Sequence, residues 1–121
     1  MAAPNVVNVT SIYGKTHGAS LSTTVTTDIL TCPSDKVLKI NSIIVANIDG
    51  TNAADATVQF NDASTGPWHL AKLVTVPAKS TLIVLGKDAP IYLEEGDKIR
   101  GGASAISDLE IIISYEELDD A

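Results

Sequence analysis

Apolar residues in this chain recur at every second position or in short continuous runs, and almost never at the three-four spacing of a helix. The clearest strand covers Val37 to Asn47 or Ile48. Leu38, Ile40, Ile44, Ala46 and Ile48 share one parity. Ile43 and Val45 share the other with Lys39, Asn41 and Asn47. Successive side chains point to opposite sides of a sheet, so this pattern predicts one apolar face and one mixed face. Exposed Ile43 and Val45 on the mixed face would be subunit contact surface. The alternative is that a second sheet of the same chain covers them.

Further strands follow between turn formers. Ala56–Phe60 alternates, after the break Asp49-Gly50-Thr51-Asn52. Trp68–Val76 alternates more weakly, after a loop from Asn61 to Pro67. Thr81–Leu85, Ile91–Leu93 and Lys98–Ser104 are short strands. Gly101 and Gly102 mark a bulge or a close backbone approach in the last of these. Leu109, Ile111, Ile113 and Tyr115 alternate with Glu110, Ile112, Ser114 and Glu116 in a strong final strand, which puts Ile112 on the outward parity. In the first third, Val7–Ile12 and Thr23–Leu30 read as strands, and Gly14 to Ser20 between them as a loop. Residues 1–11, with Val6, Val7 and Val9, form a thin segment suited to an extended arm over a neighbour. Residues 117–121 read as a solvated acidic tail.

Eight or nine short strands at regular spacing predict one all-β domain over residues 1–121. The expected architecture is an antiparallel β-sandwich of jelly-roll type, with a closed barrel as the alternative. A chain of 121 residues needs neither disulfide nor metal to bury a core. Aromatic residues make up 4% of it, so that core must be aliphatic.

The formal net charge of −7 argues against nucleic acid and against an anionic membrane surface, both of which select lysine and arginine. No run approaches the length of a membrane span. No basic region followed by an apolar run opens the chain, so a soluble protein made in the cytoplasm is expected.

Enzyme signatures are missing, no cofactor is implied, and no catalytic activity is expected. Cys32, the single cysteine, reads as a small buried hydrophobe. His17 and His69 lack metal-ligand spacing. Gly14-Lys15-Thr16 lacks the upstream glycine and following helix of a phosphate loop, and reads as a turn. Asp49, Asn52 and Asp55 surround a glycine as calcium loops do, but without the spacing of such a loop, so a plain turn is expected. Glu94, Glu95 and Asp97 form a turn rather than an acid–base pair. Trp68, at a loop–strand junction, either anchors an interface or closes the sandwich end half-buried.

Two stretches carry a family resemblance. One is Val37-Leu38-Lys39-Ile40-Asn41-Ser42-Ile43-Ile44-Val45-Ala46-Asn47-Ile48-Asp49-Gly50. The other runs from Val76-Pro77-Ala78-Lys79-Ser80-Thr81 through Pro90-Ile91-Tyr92-Leu93-Glu94-Glu95-Gly96-Asp97-Lys98-Ile99 to Ser114-Tyr115-Glu116-Glu117. Together they resemble small virion structural proteins of tailed phages, especially those of cyanobacterial and marine hosts. Leu93-x-x-Gly96-Asp97-x-Ile99 also resembles the turn before a late strand in jelly-roll families. The resemblance implies a capsid decoration (cement) protein in the virion, partnered by the major capsid protein and by copies of itself, a trimer favoured. A tail, neck or fibre component is the nearest alternative. A carbohydrate-binding module stacking sugars on Trp68, Tyr92 or Tyr115 is a second. The interface expected from these readings comprises Val6, Val7, Val9, Ile43, Val45, Trp68 and Ile112.

Overall fold

The computed structural model describes residues 10–63 and 65–119. Nine strands run in chain order: β1 (Ser11–Ser20), β2 (Thr27–Thr31), β3 (Lys36–Asn47), β4 (Ala54–Asn61), β5 (Trp68–Val76), β6 (Thr81–Leu85), β7 (Ile91–Leu93), β8 (Lys98–Ala103) and β9 (Leu109–Asp119). No helix occurs among the described residues, and so no helix is long and apolar enough to cross a membrane.

The strands form two antiparallel sheets. The first has the order β1-β9-β3-β6, with β7 also paired to β3. β6 pairs with Ile43–Ala46 and β7 with Leu38–Ile40, so the two share one strand position along β3. The second sheet has the order β2-β8-β4-β5. The chain crosses between sheets at almost every connection. With β6 and β7 counted as one position, this is the eight-position order of a jelly roll. The sandwich, rather than the closed barrel, is the architecture.

The core between the sheets is aliphatic. Leu38, Ile40, Ile43 and Val45 of β3 meet Leu109, Ile111 and Ile113 of β9, with Ala56 and Val58 of β4 and Ile99 of β8 opposite. Small residues on β4 leave room for the large branched side chains facing them.

A bulge in β3 overturns the expected assignment of faces. Its register with β9 slips between Ile40 and Ser42. Buried positions therefore pass from Leu38 and Ile40 to Ile43, Val45 and Asn47. An extra residue reverses the parity of everything after it. Ile43 and Val45 are fully buried, so the covering by the second sheet holds and neither residue is contact surface.

Two other expectations are corrected. Gly14 to Ser20 is strand, not loop, because β1 pairs with β9 without interruption from Ser11↔Asp119 to Ser20↔Glu110. The acidic end is not a free tail up to Asp119. Leu118 and Glu117 are buried, and Glu117 and Asp119 pair with Lys15 and Lys36.

The turn and glycine readings hold. Gly96 has φ +86°, and Asp97 accepts the Glu94 N–H at 2.9 Å and the Ala63 N–H at 3.0 Å. Glycine supplies the left-handed backbone, and aspartate closes the turn. At Gly102 a Cβ would lie 2.7 Å from the Cα of Val25, so the close backbone approach is real. Asn47 closes β3 from inside the core. Its side-chain N–H groups donate to Asn52 O at 3.0 Å and Val76 O at 2.9 Å, and its Oδ1 accepts the Asp49 N–H at 2.9 Å. Every polar atom of this buried amide is thus satisfied.

Candidate interaction surface

The residues singled out as possible chemistry do not converge. Cys32 is 2% exposed and its thiol donates to Lys36 O at 3.2 Å. Burial pushes that thiol up to about 11, which leaves it protonated and a poor nucleophile at neutral pH. His17 lies on β1 and His69 on β5, in different sheets. The oxygens of Asp49 accept the Thr51 N–H at 2.8 Å and the Asn52 N–H at 3.2 Å, which holds its carboxyl below the usual range. Asp55 accepts the Thr75 hydroxyl at 2.8 Å instead. This loop is a hydrogen-bonded turn. Glu95 accepts the Asp35 N–H at 2.8 Å and Asp97 closes its own turn, so Glu94, Glu95 and Asp97 do separate work.

The outer face of the second sheet carries a polar row across β2, β8, β4 and β5: Asp28, Arg100, Gln59 and His69. Asp28 accepts from Lys98 Nζ at 3.0 Å and Arg100 Nε at 2.6 Å. The Lys98 hydrogen bond, then that of Arg100, holds the Asp28 carboxyl below its ordinary value against a desolvation that raises it. Gln59 shares a 3.2 Å contact with the His69 ring, and its Oε1 is buried without a partner.

The geometry that stands out is apolar and lies along one side of the sandwich, where β5 and β7 form neighbouring edges. Phe60, Trp68, Leu70, Ile91 and Tyr92 line an open hollow of about 170 Å³ with almost no polar surface. β5 brings Trp68 opposite Phe60 of β4, and β7 brings Tyr92 opposite Lys39 of β3. Trp68 is 58% exposed and Tyr92 48%. Trp68 is thus more open than a half-buried closure of the sandwich end. Elsewhere, Leu73 on β5 is 61% exposed, and Ile83 on β6, opposite Ile44 on the outer face of the first sheet, is 68% exposed.

Of the expected interface residues, Val6, Val7 and Val9 lie outside the described residues. Trp68 sits on the hollow. Ile112 is 38% exposed on the outer face of the first sheet, where Ile44 stands between it and Ile83 in the ladder. Trp68 and Ile112 are therefore on different surfaces. Tyr115 packs partly buried against the core and is not among the residues lining the hollow. Leu73 and Ile83 were missed by sequence reasoning. The weak alternation of Trp68–Val76 was the one signal for Leu73, because an edge strand paired on one flank only loses the strict in–out pattern.

No protein-family model matches this sequence, and no curated protein sequence matches it either. Among solved structures, the chain is similar to a chain of the acidic stable capsid structure of Helicobacter pylori bacteriophage KHP30. The identity is 10%, the match covers 93% of this chain and 91% of that one, and the TM-score is 0.52. At that identity the likeness is one of fold.

Proposed function

We propose that this chain is a structural protein of a tailed-phage virion, and within that class a capsid decoration subunit bound to the shell of major capsid protein. The observation that carries the reading is the end-to-end likeness of its jelly roll to a chain from a phage capsid. The resemblance of residues 37–50 and 76–117 to small virion proteins points the same way.

The physical requirements of the role fit the molecule. A decoration protein clamps neighbouring shell subunits, and a lattice of copies multiplies modest contacts into a firm hold. Such a subunit needs a rigid body with exposed apolar anchors. Here the aliphatic sandwich supplies the body, and Trp68, Leu73, Ile83 and Tyr92 supply the anchors. A sugar-binding platform fits less well. Trp68 and Tyr92 share one hollow, but its lining offers almost no polar atoms to hydroxyls.

The test is the copy number in purified virions, by quantitative mass spectrometry against the major capsid protein. The expected result is a number comparable to the capsid protein. A few tens of copies or fewer would move the protein to the neck, tail or fibre. Absence from virions would sink the virion reading.

A further inference from the structure

We propose that residues 1–9, which precede the described residues, lie as a strap across the outer face of the first sheet of their own chain, over Leu118 and Val37. This goes beyond the proposed function and does not rest on it.

The first observation is burial on the outward side. β3 and β9 pair Val37 with Leu118, one step along from Leu38 with Glu117. Leu38 belongs to the core between the sheets, so Val37 and Leu118 point away from that core. Lys39, Glu116 and Tyr92 share this outward side. Yet Val37 is 6% exposed and Leu118 is 5% exposed, and neither is part of the core between the sheets. The second sheet lies across that core and does not cover them.

The second observation is a contrast along the same face. Ile112, Ile44 and Ile83 form a row across β9, β3 and β6. Ile44 has an isoleucine on each flank and is still partly exposed. Neighbours within the sheet therefore leave an apolar side chain of this face open to water. Val37 has fewer of them. β7 ends at Leu93, opposite Leu38, so Leu118 is the one strand partner of Val37 among the described residues. Greater burial with fewer neighbours means that further chain lies over this end of the face.

The third observation is where the described chain begins. The Thr10 N–H and the Thr10 hydroxyl both donate to Asp119 O, at 3.0 and 3.2 Å. The chain thus enters β1 beside the end of β9, one residue from Leu118. Crossing from β1 over β9 to β3 takes two strand spacings, about 10 Å. About three extended residues span that distance. Residues 1–9 contain Val6, Val7 and Val9 and no charged side chain. An extended Val7-Asn8-Val9 puts both valines on one side and Asn8 on the other, which matches an apolar dock of Leu118 and Val37. Residues 120–121 offer a carboxylate and one methyl group, too little apolar surface for this cover. A neighbouring copy could offer the same valines, but Leu118 and Val37 are buried within a single chain, which selects the chain's own segment.

The test reads thiol accessibility in the native full chain. Leu118→Cys is compared with Ile112→Cys, on the open row of the same face, by the rate of labelling with a maleimide. Cys32 is buried, and the parent chain measures its background. Leu118→Cys is expected to react about tenfold or more slowly than Ile112→Cys, because its labelling waits for local opening. Adding Val7→Asp with Val9→Asp, or removing residues 2–9, is expected to raise Leu118→Cys to the rate of Ile112→Cys, with circular dichroism showing a retained fold. For a strap on its own chain, the slow rate is expected to be independent of protein concentration. A Leu118→Cys that is open from the start would overturn the proposal. So would one that stays protected in a folded chain after either change. Protection lost on dilution would assign the cover to a second copy and overturn the proposal too.

Discussion

Ile43 and Ile83 differ in worth although both are isoleucines on neighbouring strands of one sheet. Ile43 is completely enclosed between the sheets, and Ile83 is 68% exposed on the edge. Truncating the first leaves a cavity among Ile113, Leu85 and their neighbours, and truncating the second leaves none. Ile43→Ala is expected to cost about 2–5 kcal/mol. Ile83→Ala is expected to stay within about 0.5 kcal/mol at dilute protein. Equilibrium urea denaturation of both variants checks this. Equal losses would mean that the bulge does not turn Ile43 inward. A uniform alternation from Val37 to Ile48 leaves Ile43 on the mixed face, and nothing local at Asn41 signals the slipped register.

Among the elements, β2 is a short edge strand that is lightly held. It is five residues long, and its one strand partner among the described residues is β8. Asp28 fastens it there through Lys98 and Arg100. Because the folded chain holds the Asp28 carboxyl below its ordinary value, the unfolded chain takes up that proton first as the pH falls. The stability contributed is therefore fully present above about pH 4 and is lost as the pH drops through the depressed value. Asp28→Asn is expected to lower stability by no more than about 1 kcal/mol at neutral pH, since the pair is partly exposed. The difference from wild type is expected to vanish in strong acid. Denaturation curves at several pH values check this, and a difference that persists in acid would assign the effect to packing. The strands from β3 to β9 were legible from alternation and turn residues, with Trp68–Val76, Thr81–Leu85 and Ile91–Leu93 matching residue for residue. β1 was not. Its sequence has two glycines and little apolar content, and its strand form comes from ten consecutive pairings with β9.

Across the whole molecule, β9 is the keystone, flanked by β1 along its full length on one side and by β3 on the other. The first sheet therefore closes only when the last described residues are in place. Deleting residues 117–121 removes the Glu117 and Asp119 ion pairs and the buried Leu118. A fall in Tm on the order of 10 °C is expected, read by thermal denaturation. An unchanged Tm would restore the reading of this end as a dispensable acidic tail.

By itself the sequence determined the fold class, the aliphatic core and the turn at Gly96-Asp97. These depend on neighbours a few residues apart, which composition and alternation record directly. Tertiary structure alone decided which parity of β3 faces inward, that Gly14–Ser20 is strand, and that Glu117 lies buried between two lysines. It also decided that Trp68 joins Tyr92 rather than Ile112. Each of those outcomes turns on register between strands far apart in the chain. A slip of one residue there reverses a face, and no local pattern encodes it.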